Sequence, residues 1–462
     1  MSLPVKTGTG IRTINPSTGE EISQYDYTSQ TELDEILTGA RGAFGRFSRT
    51  RIDERIAGIT SLLGILTSRR EEFATQIVAE MGKPIGQARG EIDKCISTCE
   101  YYAEHLPEML TPRVIDVAPD TAKVHLRPLG VVFAILPWNY PWWQVVRAML
   151  PAIGVGNTVV LKHAESVTGC AFAVQEAFRE AFSENVMNTV VLPGSRASET
   201  IGDERIAAVT FTGSEQVGAL VAQAAGASLK KCVLELGGSD PFIVLDDADI
   251  EAAAAAAVKS RFLNNGQSCI AAKRIIVPRA IKDEFTAALQ ASLETMTVGD
   301  PMDAEVAVGP LARFDLLDAL DDQRRRGLAA GDKILAEVAR PEGPGAWFAP
   351  GLVTVSDNDS PLLREETFGP LGAVTFYDTE DEAIAIANDT QYGLSSAVWS
   401  RDTARAESVA EQIGAGSVFI NSISASDPRL PVGGIKASGY GRELADYGVA
   451  EFANVQAVRI SG

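Results

Sequence analysis

A cysteine in a polar stretch, Cys269 within Asn-Asn-Gly-Gln-Ser-Cys-Ile, and a glutamate just after an apolar run, Glu235 within Leu-Glu-Leu-Gly-Gly, are the residues of this chain best placed to do chemistry. A thiolate is a covalent nucleophile and a carboxylate can act as base, so together they point to acyl chemistry. A free thiol is only partly ionised at neutral pH, so a helix start or a bound cofactor has to assist it. The bland alternatives are an inert core cysteine and a surface glutamate at a strand end. His105, His125 and His163 are dispersed and form no triad or metalloprotease pattern, so catalysis has to run without histidine. Cys95 and Cys99 stand one helical turn apart but lack a second ligand pair, which favours a buried helix face over a metal site. No metal is expected.

The elements that hold these residues must come from a chain of 462 residues, 45% apolar, enough for two or three domains with large cores. A formal charge of −20 argues against nucleic acid or an anionic membrane as partner, because either demands a basic face. No apolar run is long enough to span a bilayer, and Met1-Ser2-Leu3-Pro4 lacks a signal core. The five cysteines form no disulfide framework. A cytoplasmic enzyme is expected.

Apolar residues at three- and four-residue spacing predict helices over 32–47, 52–69, 71–81 and 87–106. Prolines at 107, 112, 119 and 128 then punctuate two alternating segments, 113–117 and 123–126, which read as an exposed two-stranded ribbon suited to a subunit contact. From Val131 onward apolar strands alternate with helices. Strands are expected at 131–136, 158–162, 188–192, 206–211 and 232–236, and helices at 142–153, 166–182, 196–201 and 214–225. That rhythm is the α/β, doubly wound parallel sheet, with ligands at the carboxyl ends of its strands. A second cycle follows, with strands at 241–245, 272–277, 372–377, 397–400 and 417–421, and the alanine run 252–257 reads as helix. Two lobes with a cleft between them result.

No Gly-x-Gly-x-x-Gly follows a strand; Gly8 and Gly10 precede any sheet and are expected in a loose terminus. In its place Gly213 ends an apolar strand and Ser214 can cap the next helix, where backbone N–H groups could meet a pyrophosphate. Alone this is weak, since most such turns bind nothing.

Pro137-Trp-Asn-Tyr-Pro141, Leu161-Lys-His-Ala-Glu165, Phe211-Thr-Gly-Ser214, Leu234-Glu-Leu-Gly-Gly238, Gln267-Ser-Cys269, Glu365-Glu-Thr-Phe-Gly-Pro370 and Pro431-Val-Gly-Gly-Ile-Lys436 resemble, in order, the motif set of the aldehyde dehydrogenase superfamily. Within it the chain looks most like bacterial NAD-dependent succinate semialdehyde dehydrogenases. The resemblance implies two doubly wound Rossmann-type lobes and a small β oligomerisation arm: an NAD-binding domain at 1–106 and 127–236, a catalytic domain at 237–440, and an arm at 107–126 and 441–462 that makes a homodimer or homotetramer. It implies Cys269 as the nucleophile that forms a thiohemiacetal and then a thioester. Asn139, otherwise a turn residue beside Pro141, becomes the oxyanion donor with the Cys269 backbone N–H. Glu235 becomes the base for hydrolysis, with Gly237 and Gly238 suiting a mobile side chain.

The same resemblance puts Lys162 and Glu165 on the adenosine ribose, Gly213 and Ser214 at the pyrophosphate, Trp138 beside the cleft, and Glu366 with Phe368 at the nicotinamide ribose. A carboxylate at Glu165 favours NAD, with NADP the weaker alternative. Arg147 matches the arginine that takes a substrate carboxylate, against the bland reading of an interdomain salt bridge. There are departures. Leu263 replaces a second arginine of some relatives, leaving Arg261 and Arg429 as speculative substitutes; Ala148 replaces a lysine; Ala271 excludes a Cys-x-Cys pair; Glu443 matches an acidic residue near the water path. The implied substrate is a short carboxylated aldehyde, succinate semialdehyde first, with lactaldehyde or glutarate semialdehyde as rivals. CoA-dependent acylation and a non-catalytic protein on the same fold are the remoter alternatives.

Overall fold

The computed structural model describes residues 10–461. Gly8 and the opening Met1–Pro4 therefore lie outside the described residues. Gly10, by contrast, does not sit in a loose terminus. It opens strand β1 (Gly10–Ile14), which pairs antiparallel with β2 (Glu21–Asp26) through a turn at Asn15-Pro-Ser-Thr-Gly. Both strands are half exposed and short, so their alternation is faint in the sequence.

The helical opening matches its expected periodicity. Helix α1 (Gln30–Phe47) starts on Ser29, whose hydroxyl accepts from the Glu32 N–H while the Glu32 carboxylate accepts from the Ser29 N–H. Next come α2 (Ile52–Ser68), α3 (Arg70–Met81), closed by left-handed Gly82, and α4 (Ile85–Met109). The last runs past its expected end at 106 and carries Pro107 inside. A proline in the final turn removes one hydrogen bond only, while Leu106 is fully buried beside it. Cys95 and Cys99 lie on the buried face of α4, as the helical spacing suggests.

The ribbon is β3 (Arg113–Val117) and β4 (Asp120–Pro128), and the C-terminal segment Ala453–Ile460 adds a third strand antiparallel to β4. Val114, Val455 and Ile460 on this sheet are exposed.

The first parallel sheet is built from β5 (Val131–Leu136), β6 (Thr158–His163), β7 (Met187–Thr189), β8 (Ile206–Thr212) and β9 (Lys231–Glu235). Their order is β9-β8-β5-β6-β7, so successive crossovers reverse direction at β5. Such a reversal opens a crevice at the strand ends where ligands bind. All six residues of β5 are buried, which explains its unbroken apolar run. The connecting helices include α5 (Trp143–Val155), α6 (Thr168–Ala181), α7 (Gly194–Ile201) and α8 (Glu215–Ala227).

A second sheet of seven strands follows, with five parallel strands where the sequence places them: Pro241–Val244, Arg274–Pro278, Leu371–Tyr377, Ser395–Trp399 and Ser417–Ile420. Two further strands, Lys333–Glu337 and Gly351–Thr354, form an edge that sequence reasoning missed. Helix α9 (Ile250–Phe262) contains the alanine run and leads to the nucleophile loop.

Candidate active site

The candidate residues converge because they sit at the carboxyl ends of neighbouring strands. Trp138 and Asn139 follow β5, Lys162 and Glu165 stand at the end of β6, Gly213 and Ser214 follow β8, and Glu235 ends β9. One crevice collects them.

Cys269 lies in a loop, not at a helix start. The loop reverses sharply through Asn264, Asn265 and Gly266, all at left-handed φ of 59°, 56° and 69°. Asparagine tolerates this region and glycine prefers it. Gly266 is also required by contact, since a Cβ there would overlap the Gly369 carbonyl. Arg261 fastens the turn, donating to the carbonyls of Gly266 (2.6 Å), Thr367 (3.3 Å) and Gly369. Arg261 is thus a buried structural clamp, and Arg429 is exposed and paired with Asp427, so neither substitutes for the missing substrate arginine. Burial pushes the Cys269 thiol up to about 11, while Arg147 and Lys273 pull it down. The resting thiol is protonated.

Asn139 is buried, and its amide donates to the Gln267 carbonyl at 3.1 Å. Its own main-chain carbonyl accepts from Lys83 Nζ and Asn264 Nδ2, each at 2.9 Å. Lys83 is itself paired with Glu91 at 2.5 Å with both side chains fully buried, and the other Glu91 oxygen accepts from the Trp142 and Trp143 N–H groups. The loop that carries Asn139 is therefore anchored to α4 by a buried ion pair. His163 helps from the other side: its Nδ1 accepts from the Ala164 N–H and its Nε2 lies 2.9 Å from the Pro141 carbonyl. Burial lowers that imidazole to about 4, so it is neutral.

Glu235 is buried, and its Oε1 has no hydrogen-bond partner among the described residues. Desolvation first, then the charge of Glu443, raises its carboxyl to about 8, against the pull of Arg147 and Arg442. That is the range a base near neutral pH needs. The flanking glycines serve close packing rather than mobility: a Cβ on Gly237 would meet Glu366 Oε2 at 2.5 Å, and one on Gly238 the Cys269 carbonyl at 2.7 Å. Gly433 plays the same part across the site, where a Cβ would approach Glu235 Oε1 to 2.9 Å.

Glu366 accepts from Gly238 N–H (3.0 Å) and from Lys273 Nζ (2.8 Å). Lys273 also donates to the Gly238 and Cys269 carbonyls. Sequence reasoning missed Lys273, although a lysine at the mouth of the buried strand that follows the nucleophile is a visible signal. Phe368 packs edge-on against Trp138 with ring centroids 5.7 Å apart. Ser214 caps α8 at Val217, and the Glu165 carboxylate accepts from Tyr27 Oη at 3.3 Å. Thr212 Oγ1 and Ser166 Oγ, beside the Gly213 turn and Glu165, are buried with no partner among the described residues. Helix-start N–H groups, the Glu165 carboxylate and unpaired hydroxyls on one crevice fit a dinucleotide.

Next to Cys269 opens a cavity of about 270 Å³, lined by apolar residues such as Trp143, Leu263 and Ile423 and by polar ones that include Lys94, Arg147 and Ser426. Arg147 forms an ion pair with Glu443, yet its Nη2 is buried without a hydrogen-bond partner among the described residues. An ion pair, the bland reading of this arginine, is thus present, and one N–H group is left unpaired. Ala148 and Ala271 are buried, with no group for a proton relay or a second thiol.

A doubly wound α/β fold with a thiol, an amide donor and a buried carboxylate at one dinucleotide-type crevice defines a dehydrogenase that works through a covalent thioester. The chain belongs to the aldehyde dehydrogenase family, whose model matches residues 4–458. It is 43% identical to a succinate semialdehyde dehydrogenase [NAD(P)+] of Escherichia coli (strain K12), over 96% of each chain. A succinate-semialdehyde dehydrogenase [NADP(+)] of Mycobacterium leprae is 40% identical over 98% of this chain and 100% of its own. Among solved structures, a succinic semialdehyde dehydrogenase from Streptococcus pyogenes in complex with NADP+ superposes with a TM-score of 0.95 at 34% identity, covering 98% of this chain and 100% of that one. Among the described residues no helix is long and apolar enough to cross a membrane, and no cluster of His, Cys, Asp and Glu could hold a metal.

Proposed function

We propose that this protein oxidises succinate semialdehyde to succinate with NAD, NADP being the weaker alternative. The observation that carries the substrate class is Arg147, a buried guanidinium whose Nη2 is unpaired among the described residues and which lines the cavity beside Cys269. A short aldehyde fits that volume, and a distal carboxylate would satisfy the free edge. The relatives named for the same substrate support the choice; those named for NADP, or for both coenzymes, keep the alternative open.

In this reading Cys269 releases its thiol proton to water, Sγ adds to the aldehyde carbon, and the developing oxyanion takes hydrogen bonds from Asn139 Nδ2 and the Cys269 N–H. A bound dinucleotide would supply the hydride acceptor for that carbon, and Cys269 would then carry the acyl group as a thioester. Lys162, Glu165, Gly213, Ser214, Glu366 and Phe368 would hold the dinucleotide along the crevice, with Trp138 at its wall. Glu235 then takes a proton from water, the hydroxide oxygen adds to the thioester carbon, and the sulfur leaves as the acid is released. We divide the chain into a cofactor domain (1–106 and 127–236), a catalytic domain (237–440) and an oligomerisation arm (107–126 and 441–462). The exposed apolar residues of the arm sheet suit a homodimer or homotetramer, and the five unpaired cysteines suit the cytoplasm.

The test is kcat/KM with each coenzyme over succinate semialdehyde, glutarate semialdehyde, lactaldehyde and butanal. Succinate semialdehyde should lead, and Arg147→Ala should erase its advantage over butanal. An unchanged preference in that variant would refute the substrate assignment. Cys269→Ser should produce no NADH; turnover in that variant would remove the covalent mechanism.

A further inference from the structure

The missing second arginine leaves the proposed carboxylate with one charged partner, and the cavity supplies another that the motif set does not contain. Lys94 projects from α4 into the same cavity as Arg147 and Cys269. Its ammonium donates to Ser426 Oγ at 2.6 Å and rests 4.5 Å from the centroid of the Trp143 ring. Among the described residues it has no carboxylate within ion-pair distance, although the protein carries 61 acidic residues against 41 basic ones. Glu91, which also lines the cavity, is already committed to Lys83 and to two backbone N–H groups. Asp427, one residue beyond Ser426, is held by Arg429.

Charge in the cavity therefore stands unbalanced. Glu443 answers Arg147, Lys83 answers Glu91, and the Lys94 ammonium is left over. A cation partly withdrawn from water without a counter-ion is costly, and a monoanion is the ligand that relieves it. Burial, and secondarily the charge of Arg147, pull Lys94 down to about 8, consistent with that imbalance. Because Ser426 Oγ accepts from Lys94, its hydroxyl proton is free to point onward as a donor.

We infer that Lys94 is the second cation of the substrate site, taking with Arg147 and Ser426 the distal carboxylate of a monoanionic aldehyde. This rests on the function proposed above. An ammonium is a point charge that grips from any direction, whereas the Arg147 fork fixes orientation. Recognition is then divided between α4 and α5. An uncharged aldehyde would leave the Lys94 ammonium without a counter-ion.

The experiment compares wild type, Lys94→Met and Lys94→Arg on succinate semialdehyde and butanal, which differ only in a carboxylate against a methyl group. In Lys94→Met the ratio of kcat/KM for the two should fall about 10- to 100-fold, the loss lying in KM for succinate semialdehyde. Lys94→Arg should recover most of the ratio. If Lys94→Met loses both activities in proportion, or keeps the ratio, Lys94 is structural and the inference fails while the substrate assignment stands. If wild type itself does not prefer succinate semialdehyde, the proposed function fails and the inference goes with it.

Discussion

The side-chain amide of Asn139 donates to the main-chain carbonyl of Gln267, two residues before the nucleophile, across 3.1 Å. The bond ties the loop after β5 to the loop after α9, so the Asn139 amide and the Cys269 thiol move as one unit. One amide hydrogen is spent on this tie and the other remains for substrate. Asn139→Ala should lower kcat by about 10²- to 10³-fold, the usual cost of one oxyanion donor. KM should change little. A loss confined to KM, read from steady-state curves, would place Asn139 in binding instead.

The anchor behind that loop is the buried pair Lys83–Glu91, which joins the Asn139 carbonyl to α4. Replacing one member leaves the other as an uncompensated interior charge. Glu91→Gln should therefore destabilise the fold by about 3 kcal/mol, visible as a lower urea midpoint at constant slope. Lys83→Met with Glu91→Gln together should cost less than the two single changes summed, because the double variant buries no lone charge. Additive losses would show that the pair does not act as a unit.

Gly266 carries both a positive φ and a contact that no side chain can share, the Gly369 carbonyl. Gly266→Ala strains the turn that presents Cys269 and pushes it off the 365–370 segment. A loss of about 1–3 kcal/mol of stability is expected from the strained backbone. Iodoacetamide labelling of Cys269 should also change rate, because the loop it sits on is displaced. An alanine variant with wild-type stability and labelling would mean the turn is not constrained.

Much of this was readable from residue order. Fully buried strands such as 131–136 announce themselves as unbroken apolar runs, and the motif set placed Cys269, Asn139 and Glu235 at one crevice before any coordinates. What escaped had physical causes. The edge strand 333–337 and the short β1 and β2 are half exposed, which blurs their alternation, and the buried run 351–354 is only four residues long. Arg261 was suggested for the substrate because a charged residue near the nucleophile invites that reading; its burial on three carbonyls is a tertiary fact. Lys83, Lys94, Glu91 and Lys273 sit in no pattern of their own, and their meaning arises only from what folding brings to them.

With Glu235 as the proposed base, its titration should set the pH dependence of hydrolysis. Its carboxyl, raised to about 8 by burial and by Glu443, is mostly protonated at pH 7, and only the ionised form can take a proton from water. Hydrolysis of the acyl-enzyme should accordingly rise about tenfold from pH 7 to a plateau above pH 8. The acyl-enzyme formed from p-nitrophenyl acetate gives this rate in single turnover without coenzyme. Glu443→Gln removes the neighbouring negative charge and leaves Arg147 free to favour the carboxylate, so the rising limb should move to lower pH. The same displacement acts on stability with the opposite sense. The folded state prefers Glu235 protonated, so the advantage is complete below the unfolded carboxylate value near 4.3 and is lost as pH rises through about 8. Glu235→Gln should flatten that slope in urea titrations, and a limb that stays put in Glu443→Gln would assign the titration to a group other than Glu235.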